Sequence, residues 1–417
     1  MYSVYIHVPF CIRRCGYCDF NTYTSPDLGG GASRGNYANL AVREMVLARQ
    51  WQESQGIEEP AASTIFFGGG TPTILAAHDL IRMVDAVRAV WGIEPEAEIT
   101  TEANPDTVDH AYLAELKAGG FTRVSFGMQS AVPSVLATLD RTHTPANVES
   151  GVKAAQALGL ETSVDLIYGT PGESIQDCDK SLRAAIDLGT GHISAYALTV
   201  EPHTRMGRQI SRGIIAAPDD DDQAAKYRAA DQAFTQAGLD WYEVSNWARP
   251  GHESRHNLGY WHNVDWVGIG PGAHSHYRRG KASAAAEASG LRAWDIAHPR
   301  KWAEVMEEGR LPWQGSESLG WKEKMEEAII LGLRIRDGLD LARLDRLADA
   351  GVEGPEGPEG LAGPEGRRRA TVTDLVSSLS QEGLAVYDPQ ADALTATLEG
   401  RMLNDLLIER FFEAYGL

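Results

Sequence analysis

Three cysteines fall within eight residues near the N-terminus: Cys11, Cys15 and Cys18, in the run His-Val-Pro-Phe-Cys-Ile-Arg-Arg-Cys-Gly-Tyr-Cys-Asp-Phe. The spacing C-x-x-x-C-x-x-C puts three thiolates on one short loop and supplies no fourth. Iron–sulfur clusters held by protein thiolates normally take four. Three leave one iron of a [4Fe–4S] cluster without a protein ligand, and an open coordination position is where a metal centre does chemistry. A structural zinc site would ordinarily draw four ligands from two separated pairs. Cys178 is the one other cysteine, but it lies far along the chain in Gln-Asp-Cys-Asp-Lys and reads as a small helix residue. With four cysteines and three of them clustered, a disulfide scaffold is not expected, and the reducing cytoplasm is the expected compartment.

The chain of 417 residues is long enough for one large domain and a small one. Its 58 acidic and 38 basic residues leave a formal charge of −20. That argues against nucleic acid as a partner, which needs a basic footprint, while leaving room for a small anion in a local basic pocket. No run of about 18 or more apolar residues occurs, so no integral membrane segment is expected. Met1–Pro9 reads as a strand and lacks the basic region of a signal peptide.

Strand and helix patterns alternate through the first half. Strands are expected at Tyr2–Val8, Ser63–Phe67, Glu98–Glu102, Arg123–Gly127, Thr162–Ile167 and His192–Leu198. Helices are expected at Asn36–Gln52, Leu80–Trp91, Tyr112–Ala118, Pro133–Leu139, Val148–Leu158 and Cys178–Leu188. Such βα alternation specifies a parallel sheet with right-handed crossovers. Six units point to an α/β fold, a partial (β/α)6 TIM-like barrel, with an open doubly wound sheet as the alternative. Barrels of this kind carry their active sites at the C-terminal ends of the strands, and the cysteine loop follows the first strand. The expected divisions are residues 1–235 for the barrel, 236–310 for an extension, and 311–417 for a C-terminal helical, winged helix-like region. Such a region raises DNA as a ligand, but the overall charge and an acidic last helix disfavour it. The run Pro218-Asp-Asp-Asp-Asp222 admits a cation, yet acidic residues at a helix N-terminus explain it better. Residues 351–369, with Glu-Gly-Pro-Glu-Gly-Pro-Glu-Gly, read as a disordered insertion. Ser25–Gly35 and Gly280–Gly290 read as loops, the first mobile and beside the cluster.

The second strand ends in Phe66-Phe-Gly-Gly-Gly-Thr-Pro-Thr73. Gly68, Gly69 and Gly70 let a ligand approach the backbone closely, although a triple glycine by itself marks only a tight turn. C-x-x-x-C-x-x-C followed by Gly-Gly-Thr-Pro resembles the radical S-adenosylmethionine (SAM) superfamily. The resemblance runs along almost the whole chain. It is closest to the oxygen-independent coproporphyrinogen III oxidases and their relatives, the HemW-type heme chaperones. It implies that the amino and carboxylate groups of SAM chelate the open iron. It further implies cofactor contacts from Tyr5, Tyr17, Gly69, Gly70, Thr71, Glu102, Gln129, Arg141 and Asp165, with Ala197 and His274 near two more contact positions. In this pattern Glu102 accepts from an ammonium or ribose hydroxyl, Arg141 pairs with a carboxylate, and Asp165 accepts from ribose. Each of these residues alone would more often be structural.

Two features separate the branches. The oxidases place a further cysteine two residues after the third, where this chain has Phe20, and they carry an N-terminal extension, where this chain begins ten residues before Cys11. The motif His-Asn-x-x-Tyr-Trp, at His256–Trp261, resembles the heme chaperones. Histidine is a natural axial ligand of heme iron, and Tyr260, Trp261 and Trp266 have rings suited to a porphyrin face. Spacing alone makes His256 a hydrogen-bonded core residue; the resemblance makes it a candidate heme contact. The implied function is a heme chaperone that takes heme as cargo and passes it to acceptor apoproteins, with no catalytic residue assigned. The alternative is coproporphyrinogen III oxidative decarboxylation. A purely structural or electron-transfer cluster is disfavoured by the count of three thiolates.

Overall fold

The computed structural model describes residues 1–278, 289–353 and 365–417. Six parallel strands run side by side in sequence order: β1 (Tyr2–Val8), β2 (Ala62–Gly69), β3 (Ile93–Ala103), β4 (Arg123–Gln129), β5 (Glu161–Tyr168) and β6 (His192–Ala197). Helices follow each of them, as the alternation requires. This is the partial (β/α)6 barrel. The same sheet runs on at both sides. Strands β7 (Asp240–Glu243) and β8 (Asn246–Ala248) join antiparallel at β6. On the other side β9 (Asp265–Ile269) pairs parallel with β1, followed by the antiparallel strands β10 (His274–Arg278), β11 (Gly290–Asp295) and β12 (Trp313–Leu319).

Side-chain alternation explains what the two faces of the sheet do. One set of positions in β2 to β6 is apolar: Ile65 and Phe67, Ile99, Val124 and Phe126, Val164 and Leu166, Ile193 and Ala195. All are buried in the main core under the helices. Apart from Phe66, Ile167 and Tyr196, the other set is polar or small: Thr100 and Glu102, Arg123, Ser125 and Gly127, Ser163 and Asp165, His192 and Ser194. All of these line one cavity. With period two, a strand that is apolar on its helix side has its alternate residues free for the inner side. Tyr5 of β1 and Tyr196 of β6 line that same cavity, so the sheet curls far enough for its first and sixth strands to face each other.

Helix starts follow capping more closely than apolar spacing. The fifth crossover helix spans Pro145–Ala157, three residues ahead of its expected start at Val148. Thr144 caps it with Asn147 in a reciprocal box and Pro145 opens the first turn. Likewise Asp219 caps the helix Asp220–Gln236 by accepting from the Asp222 N–H at 2.8 Å, so the aspartate run starts a helix. Ser25–Gly35 is a hydrogen-bonded turn: Leu28 N–H donates to Ala32 O, and Gly29, Gly30 and Gly31 take positive φ to close it.

The C-terminal region has the helix–strand–helix–helix–strand–strand order of a winged helix. Helices Trp321–Gly332, Leu341–Glu353 and Glu365–Gln381 alternate with β13 (Leu339–Asp340), β14 (Ala385–Asp388) and β15 (Ala393–Ala396), paired in the order β13-β15-β14. Its own core gathers Met325, Ile329, Leu344, Leu379, Leu394, Leu407 and Phe411. Of the insertion expected over 351–369, residues 351–353 and 365–369 have helical backbone. The helix Leu341–Glu353 ends the described part on one side and Glu365–Gln381 begins it on the other, where Arg367, Arg368, Arg369 and Ala370 favour helix. Residues 354–364, and 279–288 of the second expected loop, lie outside the described residues.

Candidate cofactor site

A cavity of about 630 Å³ opens at the C-terminal ends of the parallel strands. All thirteen residues selected from the sequence line it: Cys11, Cys15, Cys18, Tyr5, Tyr17, Gly69, Gly70, Thr71, Glu102, Gln129, Arg141, Asp165 and His256. Ala197 lines it too. His274 does not; it sits on the extension of the sheet, stacked on Trp294 with ring centroids 6.3 Å apart. Cys178 is buried in the core on the helix Ile175–Asp187, away from the cavity.

The cysteine loop has almost no regular secondary structure, so distant segments hold it. Cys11 N–H donates to Tyr23 O at 3.0 Å, and Met206 N–H reaches Gly16 O at 2.8 Å. The Arg34 guanidinium donates to Cys11 O at 2.9 Å. Asn21 donates to Pro271 O and Ala297 O at 2.8 and 2.7 Å. Asp140 accepts from Arg13 of the loop at 2.9 Å and from Arg205 at 3.0 Å. Gly16 sits close to this ion pair: a Cβ there would stand 2.7 Å from the Asp140 carboxylate, which would have to shift.

The glycine turn is equally constrained. Gly70 N–H bonds Val8 O and Thr71 N–H bonds Phe10 O, both at 2.8 Å, stitching the turn to the start of the cysteine loop. A Cβ on Gly70 would lie 2.6 Å from Phe10 O. Gly69 has φ +105° and its amide donates to Glu102 at 3.2 Å. The Thr71 hydroxyl points at Cys11 Sγ, 3.7 Å away.

The strand wall carries the acids. Burial, and then the neighbouring Asp165 carboxylate, push the Glu102 carboxyl up to about 8, against the Gly69 amide that favours its anion. Asp165 is also raised by burial, but Ser194 and Ser125 hydroxyls and the charges of Arg123 and Arg141 oppose that. Ser125 Oγ lies 3.3 Å from both Asp165 oxygens and accepts from Ser163 Oγ at 2.8 Å. Register brings these together: Glu102 pairs with Ser125, Ser125 with Ser163, and Asp165 with Ser194. Gln129 ends β4 at φ +62°, a left-handed conformation that a non-glycine residue adopts at a cost. Arg141 donates to Gly127 O at 2.9 Å and to Asn104 at 3.4 Å, and reaches Cys15 Sγ at 3.6 Å.

His256 is 1% exposed, and both ring nitrogens have partners. Nδ1 meets the Thr64 hydroxyl at 2.8 Å and Nε2 meets the Tyr260 hydroxyl at 3.0 Å. The ring stacks on Phe66 at 4.9 Å, and burial pulls its pKa down to about 3, so it stays neutral. In this arrangement it is a hydrogen-bonded wall residue, and neither nitrogen is free to ligate iron. The Tyr260 ring is edge-on to both His256 and Trp266, and Trp266 stacks on His276 at 4.8 Å. Of the three aromatics singled out there, only Tyr260 lines the cavity.

Sequence reasoning overlooked Ser125, Ser163, Ser194, Arg123 and Thr22. Four of these sit at alternate positions of strands whose other face is apolar, a signal legible in the sequence. Thr22 carried no such signal.

One observation fits a cluster on the three thiols. The Thr22 hydroxyl is buried beside Cys11 and Cys18, favours the thiolate form of both, and has no acceptor at full hydrogen-bonding geometry. A cluster sulfur or ligated thiolate supplies the acceptor it lacks. Among the described residues, no group of three His, Cys, Asp or Glu side chains is arranged around one metal ion. A cluster spreads its three ligands over three irons and does not need that convergence.

The radical SAM superfamily model matches residues 5–185. The chain is 41% identical over 409 residues to the heme chaperone HemW of Mycobacterium tuberculosis, covering 98% of this chain and 94% of that protein. It therefore belongs to the HemW family of radical SAM proteins. HemW of Bacillus subtilis is 31% identical over 360 residues, covering 85% of this chain and 89% of that one. The coproporphyrinogen III oxidase HemN of Escherichia coli, a radical SAM enzyme, shares the fold with a TM-score of 0.76 at 20% identity, over 98% of this chain and 89% of that one. Membership in the HemW family implies a [4Fe–4S] cluster and SAM, which together supply one-electron radical chemistry when bound. No helix among the described residues is long and apolar enough to cross a membrane.

Proposed function

We propose that this protein binds heme as cargo and hands it to acceptor apoproteins in the cytoplasm, with the cluster and SAM held in the barrel cavity. The observation that carries the reading is the 41% identity to a heme chaperone along 98% of the chain. In this reading Cys11, Cys15 and Cys18 hold the cluster. Glu102, Gln129, Arg141 and Asp165 hold SAM, with Tyr5, Tyr17, Gly69, Gly70 and Thr71 around it.

Phe20 supports the chaperone over the oxidase. It stands where the oxidase pattern has a cysteine, and its ring is 59% exposed at the cavity mouth. Ile12, 65% exposed, lies on the same loop and also lines the cavity. Two large apolar side chains left in water beside a cavity suit a flat apolar ligand. Axial ligation by His256 requires the Tyr260 hydroxyl to leave Nε2.

The test uses anaerobically reconstituted full-length protein. Heme titration should reach about one per chain, as a single cargo site implies, and the loaded protein should pass heme to an apoprotein acceptor. Coproporphyrinogen III should remain unconverted with cluster, SAM and reductant present. Robust conversion without heme binding overturns the reading. His256→Ala should shift the heme absorption spectrum only if that histidine ligates iron.

A further inference from the structure

Two of the three cysteine sulfurs are the targets of side chains expected to serve SAM. Thr71 Oγ1 donates to Cys11 Sγ at 3.7 Å and Arg141 Nη1 donates to Cys15 Sγ at 3.6 Å. Neither contact is an accident of a loose side chain. Thr71 is buried, and its backbone is fixed by the bond from its amide to Phe10 O. The Arg141 guanidinium is gripped by Gly127 O, Asn104 and His143 Nδ1, while His143 is itself tied through Nε2 to Met128 O at 2.9 Å. Gly127 leaves room for that grip, because a Cβ there would stand 3.1 Å from the Arg141 guanidinium.

We propose that Thr71 and Arg141 are positioning residues that set the reduction potential of the cluster by donating to two of its three thiolate ligands. An added electron raises the negative charge on the sulfurs. A hydrogen bond or a cation beside a sulfur therefore stabilises the reduced cluster and raises its potential. Arg141 acts more strongly, because it brings a full charge into a partly buried site. Thr71 contributes a neutral donor. The inference rests on the family's cluster and is independent of the heme reading, so heme binding can fail without touching it.

The experiment is a redox titration of the reconstituted full-length protein, followed by the cluster's spectrum, with iron content measured for every variant. Arg141→Gln should shift the reduction equilibrium toward the oxidised cluster about tenfold, which for one electron is about 59 mV to lower potential. Thr71→Val should shift it in the same direction by less, and Thr71→Ser should restore the wild-type potential. A role confined to packing would alter iron content or thermal stability and leave the potential in place. Wild-type potentials in iron-loaded Arg141→Gln and Thr71→Val proteins overturn the proposal. Should Arg141→Gln fail to hold iron, the Thr71 pair decides it: equal potentials for the Val and Ser variants overturn the proposal, and a Ser-specific recovery supports it.

Discussion

The two sides of the cavity are built in opposite ways. The acid-bearing wall stands on β3, β4 and β5, where register and period two place every side chain. Glu102, Ser125 and Asp165 need no special ties beyond the sheet. The cysteine side is a loop whose position depends on contacts from residues as far off as Asp140, Arg205, Pro271 and Ala297. Strands give precision cheaply, since their backbone bonds are made for the sheet regardless of function. The loop brings three sulfurs to one cavity at a spacing that no strand or helix period provides, and it needs many separate ties to do so. The difference predicts that the wall should tolerate loss of single polar groups structurally, while the loop's occupancy should be sensitive to its anchors.

The largest effect should come from the sulfurs. Cys15→Ser should abolish cluster incorporation, measured as iron and sulfide per chain, whereas Cys178→Ser should retain it because that thiol lies in the core. Loss of iron in the Cys178 variant would falsify the open-iron assignment. Next, Asp165→Ala should weaken SAM binding by calorimetry. A lost hydrogen bond to a charged group is worth about 1.5–3 kcal/mol, about 10- to 150-fold in affinity. Iron should remain; if it leaves with SAM affinity, the wall and the loop are one unit and the contrast breaks.

A smaller effect sharpens the anchor argument. Asp140 has φ +58° and ties Arg13 and Arg205. Asp140→Asn keeps a residue that tolerates that conformation and removes the charge. Since Arg13 is 53% exposed, overall stability should change by less than about 1 kcal/mol. The cluster should nevertheless be lost faster to a chelator. Equal loss rates would show that the ion pairs do not hold the loop.

The last effect is a pH dependence confined to the wall. Glu102 titrates near 8 in the folded protein against about 4.5 when unfolded. The native state therefore binds more protons between those values, and the stability of the cofactor-free protein should fall as pH rises from about 4.5 to 8. Glu102→Gln cannot ionise. Its thermal midpoint should exceed that of the wild type at pH 8 and match it more closely at pH 5. An unchanged difference across that range would mean that the carboxylate is solvated after all.

Local patterns in the chain carried much of this. Apolar, β-branched runs in a βα rhythm located all six barrel strands, because a strand covered by helices must be apolar on that face. The capping residues Thr144 and Ser174 mark helix starts that apolar spacing alone misplaces. C-x-x-x-C-x-x-C and Gly-Gly-Thr-Pro located the site, since both are short-range arrangements in which spacing and geometry are nearly the same thing.

His256 shows where that stops. Its motif is local, but its chemistry depends on Thr64 and Phe66, nearly two hundred residues earlier in the chain, and on the Tyr260 hydroxyl. Only the folded chain decides that both ring nitrogens are engaged. The same holds for Arg141, whose reach to Cys15 spans 126 positions, and for Thr22, whose hydroxyl gains its place beside the sulfurs only when Cys11 and Cys18 close around it. The sequence by itself determined which residues are able to carry charge, sulfur or a close backbone approach. The tertiary structure decided which of them meet, because hydrogen bonds and burial depend on distances that the curled sheet and its anchored loop create.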